Sequence, residues 1–447
     1  MTLIMKLLCI LQTVAYAHAD TCPSYSVAVK PATEEDIQTI VRYAAENRVP
    51  FLATGGGHGY STVLGRVRDV LNVDLSNFNS VSVDAKRNTM TVGCGTRFAQ
   101  IYDPLYNAGK QIQTGGCSQP SMIGVTLGGG IGPLAGAQGL IIDALLSAEI
   151  VTGTGDLLVV SKTQNPDLFW GIRGAGFNFG IVTSATYRIV DATPEGQVYN
   201  ADLVYSGEKN GTIFEMLSSF QQEHDDKLAL TVVSSLKNNT PSISVSAIYF
   251  GTEEAGKAAI EAFLDAEPAE SYISMVPYNQ LVYVANFGSD SFTSQKEVLA
   301  DTWGFNVNKL DVPSLISVYN ELMSFALNNP PHSSVKLILE KFGPGVTSSI
   351  PDDATAFPWR KTLGYGMLTF SLPDATTPYQ GADIFAQGLR SKLTWDNGNP
   401  YGEVYVHYAR GDEAPEQMYG ARKLPKLRML KAKYDPNGLF NFYNSVQ

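Results

Sequence analysis

The chain has 447 residues, 44% of them hydrophobic and 10% aromatic, with a formal net charge of −11. That length supplies core for two or three domains, and the acidic balance disfavours a nucleic-acid partner, which would want a basic face, so none is expected. Beyond the first residues no stretch approaches the roughly 20 apolar residues of a membrane helix, so no membrane partner is expected.

The N-terminus reads apart from the globule. Leu3–Leu11 is a short apolar run interrupted by Lys6, and Ala17-His18-Ala19 follows as a small-x-small cleavage pattern. Residues 1–19 are therefore predicted to be a secretory signal peptide. The sequons Asn210-Gly211-Thr212 and Asn238-Asn239-Thr240 agree with a secreted or secretory-pathway chain. Cys9 would leave with the leader, so Cys22, Cys94 and Cys117 remain: too few for a disulfide scaffold and without the paired spacing of a zinc site. An odd number leaves one thiol over, and a Cys22–Cys94 pairing would make it Cys117.

Residues 33–47 predict a helix. Thr33 caps it, acids fill its first turn, and Ile37, Ile40, Val41, Ala44 and Ala45 form one apolar stripe. A strand at 50–53 runs into Thr54-Gly55-Gly56-Gly57-His58-Gly59-Tyr60-Ser61. Strands follow at 70–74, 80–84 and 89–94, then a helix from Phe98 that Gly109 ends. The glycine-dense stretch 115–139 holds Gly115-Gly116-Cys117 and Leu127-Gly128-Gly129-Gly130-Ile131-Gly132. Glycine costs about 0.5–1 kcal/mol inside a helix or strand, so such a run belongs where backbone approaches a ligand or another backbone. Two strands over 145–161, the segment 174–180 and a strand from Ile181 to Ile189 complete this half.

After Asp191 glycine thins out, with a boundary near 192–196. Strands at 242–250, 366–372 and 403–408 alternate with helices such as 253–264, which suggests an antiparallel sheet with flanking helices. A basic helix from Tyr419 ends at Tyr434-Asp435-Pro436-Asn437-Gly438.

The glycine loops match neither standard phosphate motif. No Gly-Lys-Ser/Thr follows the first loop, and Phe179 stands where the dinucleotide fingerprint beginning at Gly174 needs its third glycine. Hydrolytic and zinc-protease signatures are absent from the sequence, and no metal ligands cluster. His224, in Glu223-His224-Asp225-Asp226, reads as a solvated surface residue, His332 as loop structure, and Asp412 and Glu413 as loop solvation.

Several loops separated along the chain imply one extended, anionic ligand. Gly-Gly-Gly-His-Gly-Tyr-Ser, Gly-Gly-Cys, Thr126–Gly132, Gly139-Leu140-x-x-Asp143, Asp167-Leu168-Phe169-Trp170-x-x-Arg173-Gly174, Asn178–Thr183 and Tyr434-Asp435-Pro436 occur in one order. In this the chain resembles FAD-linked oxidases of the vanillyl-alcohol-oxidase and berberine-bridge-enzyme type, most closely the fungal secreted branch. The resemblance is dense over 31–190 and over the last 40 or so residues. It implies an α+β fold with a two-part FAD-binding domain at 20–192, an antiparallel-sheet substrate domain at 193–400, and a C-terminal segment, 401–447, that completes the active site. It assigns FAD to Thr54, Gly55, Gly56, Gly57, His58, Gly59, Tyr60 and Ser61; to Gly116 and Cys117; to Gly124, Thr126, Leu127, Gly128, Gly130 and Gly132; to Asp143; and to Gly176, Asn178, Gly180, Ile181 and Val182. His58 and Cys117 match the residues that bond the flavin covalently in bicovalent members.

Tyr405-Val406-His407-Tyr408 resembles the family's Tyr-x-Asn-Tyr strand, so Tyr405, His407 and Tyr408 are the catalytic candidates. His407 stands where asparagine is common, which would supply a base titrating near neutral pH. Other departures are the brief Asp20–Lys30 lead-in, Pro120-Ser121 in place of a usual Val-Gly, and Cys94 in place of a small residue. The implied activity is oxidation of an alcohol, amine or activated C–H bond of a small molecule by a monomer, with O2 as acceptor and H2O2 as product. Tyr278, Tyr283, Phe287, Trp303, Phe305 and Tyr319 would suit an apolar, planar substrate. The alternatives are a carbohydrate oxidase and a redox-neutral flavin-containing cyclase or binding protein.

Overall fold

The computed structural model describes residues 23–447 apart from Tyr60, 222–223, 294–299, 331–333 and 372–379, and the side chains of 292–293, 300, 371 and 380. The expected leader, Cys22, Tyr60 and His332 lie outside the described residues. Glu34–Asn47 is helical, and Thr33 and Asp36 form the reciprocal cap that the sequence predicts. Ile37, Val41 and Ala44 are buried beneath it.

Two sheets build the N-terminal half. Phe51–Thr54 and Tyr25–Val29 flank Val70–Asp74 in a small parallel sheet. Five antiparallel strands follow in the order Val81–Asp84, Thr89–Gly93, Gly180–Arg188, Leu145–Thr152, Leu157–Ser161. One hydrophobic core joins these sheets to the C-terminal helix Leu424–Tyr434 and to Val446.

The middle of the chain forms a seven-stranded antiparallel sheet. Its order is Glu270–Pro277, Gln197–Ser206, Thr240–Tyr249, Leu228–Lys237, Val335–Phe342, Gly364–Ser371, Ala300–Val307. Alternate side chains of a strand face opposite sides, and the two sides differ. Leu228, Leu230 and Val232, Ile243, Val245 and Ala247, and Val335, Leu337 and Leu339 pack into a second core with the helices Val312–Asn328 and Gln380–Asp396. The predicted helix at 253–264 divides at Ile260 into Glu253–Ala259 and Glu261–Asp265.

The strand expected at 403–408 does not form. Its backbone turns, with the Tyr408 amide donating to the Tyr405 carbonyl at 2.7 Å. The fold instead draws the Glu403 carbonyl to the Asn306 amide and the Asn399 side chain, which ends the extended run just as the aromatic residues begin.

The C-terminus is pinned by a buried ion pair. Lys431 donates to Asp435 at 2.7 Å and to the carbonyls of Asn178 and Phe440, while Asp435 accepts the amides of Leu439 and Phe440 at 2.9 Å each. Removing one partner of such a pair strands a charge in the core. Asp435→Ala is therefore expected to cost about 3–5 kcal/mol. The midpoint of urea unfolding at unchanged slope measures this, and a loss within the range of a surface pair, under about 1 kcal/mol, would show that the clasp is dispensable.

Candidate functional site

Two adjoining cavities lie where the sheets meet. The first, about 380 Å³, is walled by Thr54, Gly55, Gly56, Gly57, His58 and Gly59, by Gly124 and Leu127, by Gly180, Ile181 and Val182, and by the terminal segment at Phe440, Phe442 and Tyr443. The second, about 980 Å³, takes in Gly116, Cys117, Gly132, Tyr405 and Tyr408 and reaches the bare face of the seven-stranded sheet. His58, Gly59, Pro120, Val125, His407 and Tyr443 line both.

The first cavity has a neutral wall: no charged side chain lines it among the described residues. The glycine loop is pressed against the segment entering the helix Met122–Leu127. A Cβ on Gly56 would stand 2.6 Å from the Ser121 amide nitrogen, so only glycine lets the two backbones approach. An anion here has backbone amides for partners rather than a cation, as in backbone nests. A glycine-lined cavity that shares part of its wall with a second, larger one fits a dinucleotide whose ring system faces a second ligand. Cys94 lines this trough as a buried thiol, pushed up to about 12 by burial, and is therefore protonated.

Other residues that the resemblance assigned to the cofactor stand behind the walls. Asp143 forms a buried bidentate ion pair with Arg360 (2.8 and 3.1 Å) and accepts the Leu140 amide. Asn178 accepts the Val446 amide and donates to Ala175 and Tyr419. Thr126 shares a hydrogen bond with Tyr187, and Ser61 donates to the Arg410 carbonyl. Gly128 gives way to His407, whose Nε2 a Cβ there would meet at 2.5 Å, and Gly176 makes room for Leu127. The Gly130 amide donates to the Tyr405 hydroxyl at 3.1 Å. Asp143, Asn178, Thr126, Ser61, Gly128, Gly130 and Gly176 therefore stand behind the walls, and none of these seven lines either cavity.

The catalytic candidates separate. His407 packs edge-on against Phe177 and Tyr405, and its Nε2 lies 3.0 Å from the Val125 carbonyl, to which a neutral ring donates. Burial pushes it down to about 4, which corrects the expectation of a base near neutral pH. Tyr408 has a different partner. It donates to Glu340 Oε2 at 2.6 Å, and burial raises that carboxyl to about 7. Both residues line the second cavity. Glu340 escaped the sequence reading because its strand, VKLILEKF, shows it only as one polar residue at an alternate position.

Three more expectations change. His224 is not solvated: its Nε2 lies 2.8 Å from the Leu228 carbonyl, and burial pushes it down to about 4. Glu413 is held by Arg390 at 2.8 Å and accepts the amides of Arg410 and Gly411. Of the aromatic set, Trp303, Phe305 and Tyr319 belong to the helix-side core, whereas Tyr278 and Phe287 line the cavity.

The family described as "FAD binding domain" matches residues 25–161, and "Berberine and berberine like" matches 404–447. An FAD-linked oxidoreductase of Pyricularia oryzae is 40% identical over 95% of this chain and 84% of its own length. Among solved structures, a chitooligosaccharide oxidase superposes with TM-score 0.83 at 23% identity, covering 97% of this chain and 96% of that one. The 6-hydroxy-D-nicotine oxidase of Arthrobacter nicotinovorans gives 0.82 at 19%, covering 97% and 94%.

With its ring neutral at every pH above about 4, His407 should contribute no limb to a pH–rate profile near neutrality. His407→Asn, whose amide can still donate to Val125, is expected to leave the acid limb where it was. Disappearance of that limb in the variant would make His407 the titrating group.

Proposed function

The chain belongs to the berberine-bridge-enzyme-like family of FAD-linked oxidoreductases, and from that premise we propose that it oxidises an alcohol, amine or activated C–H bond of a small organic molecule. The single observation that carries this reading is the Tyr408–Glu340 pair, set in the same cavity as His58 and Cys117. When bound, FAD would supply the hydride acceptor, with O2 as the terminal electron acceptor and H2O2 as its product. The loop at Thr54–Gly59, with Gly124 and Gly180–Val182, would hold the dinucleotide by its backbone; His58 and Cys117 would tether its ring covalently.

The protein's own part is the proton. A substrate hydroxyl or amine losing hydride from its carbon must also lose a proton, and a base within hydrogen-bond reach takes it. Tyr408 receives that proton on its oxygen while passing its own to Glu340 across the 2.6 Å hydrogen bond. A carboxyl near 7 is matched to this task, because a large share of it is ionised in neutral solution while it stays basic enough to accept. Below that pH Glu340 is protonated and the relay is blocked. The sign is therefore fixed: activity rises with pH through about 7. We extend the proposal to a secretory-pathway enzyme, on the leader-like residues 1–19 and on the sequon at Asn238, which sits at an exposed hairpin turn.

Tyr408→Phe is expected to slow anaerobic bleaching of the flavin by about 10²–10⁴ with flavin content unchanged, and Glu340→Gln should flatten the acid limb. Retained rapid bleaching in Tyr408→Phe would sink the relay, and product formation with unbleached flavin would sink the oxidase reading in favour of a redox-neutral one.

The covalent tether has its own test. Acid-precipitated wild-type protein should keep its yellow chromophore, His58→Ala and Cys117→Ala should each still keep it, and the double variant should lose it. A colourless wild-type pellet would refute attachment.

A further inference from the structure

The bare face of the seven-stranded sheet forms one wall of the large cavity, and its side chains are ordered by chemistry along the strands. Glu340 and Lys336 share the cavity face of Val335–Phe342. Four residues of strand put them about 13 Å apart along the backbone. Between and beside them Thr231, Ser235 and Ser244 present hydroxyls to the cavity, none with a hydrogen-bond partner among the described residues. Ser235 pairs in register with Lys336, and Thr231 with Glu340. Another part of the lining is largely apolar, with Tyr278, Leu281, Val282 and Phe287 beside Asn286.

Charge sharpens the pattern. The chain is acidic overall, yet this end of the cavity carries Lys237 and Lys336. Lys237 is neutralised by Glu270 at 2.6 Å. Lys336 has no acidic partner among the described residues. A cation on a cavity face, beside hydroxyls without partners, is a seat for an anion, since a charge-assisted hydrogen bond is about twice as strong as a neutral one.

We propose that Lys336 binds the anionic end of an elongated substrate, a carboxylate held four strand residues along the sheet from Glu340 and its partner Tyr408. The substrate class is then an oxygen-bearing organic acid with one apolar face, rather than a neutral sugar. Its oxygens meet Thr231, Ser235 and Ser244, and its apolar side meets the 278–287 wall. This deepens the oxidase reading and rests on it for the position of the reacting carbon.

The test uses holoenzyme and a matched pair of probes, 4-[4-(hydroxymethyl)phenyl]butanoate and its methyl ester. Calorimetry reads binding, and peroxide release reads turnover. The acid is expected to bind at least about tenfold tighter than the ester, and Lys336→Gln should abolish the difference by weakening the acid alone. Equal binding of the two probes, a preference that survives Lys336→Gln, or no binding of either probe would overturn the assignment. Tight, Lys336-dependent binding of the acid without turnover of either probe would uphold the anion seat and count against the oxidase reading.

Discussion

The seven-stranded sheet has to satisfy two faces at once, and the site depends on how it does so. Because side chains alternate along a strand, a slip of one residue would carry Glu340 into the helix-side core and bring Leu339 into the cavity. The hydrophobic set Leu228, Leu230, Val232, Ile243, Val245, Leu337 and Leu339 fixes that register by its burial against the helices. The polar face is therefore placed by the apolar one. Residues that never touch a ligand decide that Thr231, Ser244, Lys336 and Glu340 all look into one cavity.

A second constraint meets the sheet from below. The terminal segment brings Phe440, Phe442 and Tyr443 to the cavities, and the Lys431–Asp435 pair determines where that segment lies. Lys423 acts in the same way from the other end of the helix, donating to the carbonyls of Thr355 and Phe357. Basic residues that give the terminal helix its charged look in sequence are thus partly internal struts. A buried ammonium is tolerated only when its donors are met, and here backbone carbonyls meet them. Asp435 of the Tyr434-Asp435-Pro436 signature serves this clasp.

Legibility in the sequence followed the physical origin of each feature. Local signals were readable: the Thr33 cap, the apolar stripe at Ile37, Val41 and Ala44, and the glycine loops whose purpose is close approach. That Thr54–Gly59 and Gly180–Val182 could line one cavity was readable for the same reason, since each lies on contiguous backbone. Long-range partners were not. Nothing in the residues around Asp143 announces Arg360, 217 positions away, and nothing near Asn178 announces Val446, 268 positions away. The motifs around both carry no sign of these distant partners.

The run Tyr405-Val406-His407-Tyr408 shows why local pattern fails at a site. Alternation in an ideal strand would put Tyr405 and His407 on one face and send Tyr408 away from them. The backbone turns here instead, and the three rings gather, with Tyr405 5.2 Å from His407 and 5.1 Å from Tyr408 between ring centres. Within that cluster, environment divides the work that residue type alone would have given to the histidine. His407 loses its proton affinity to burial and keeps a carbonyl for its one hydrogen bond. Tyr408, a far weaker acid in water, gains chemistry from the carboxylate that the sheet holds against it. In the proposed relay the base is thus a property of the pair, and one of its members lies 68 residues away in the chain.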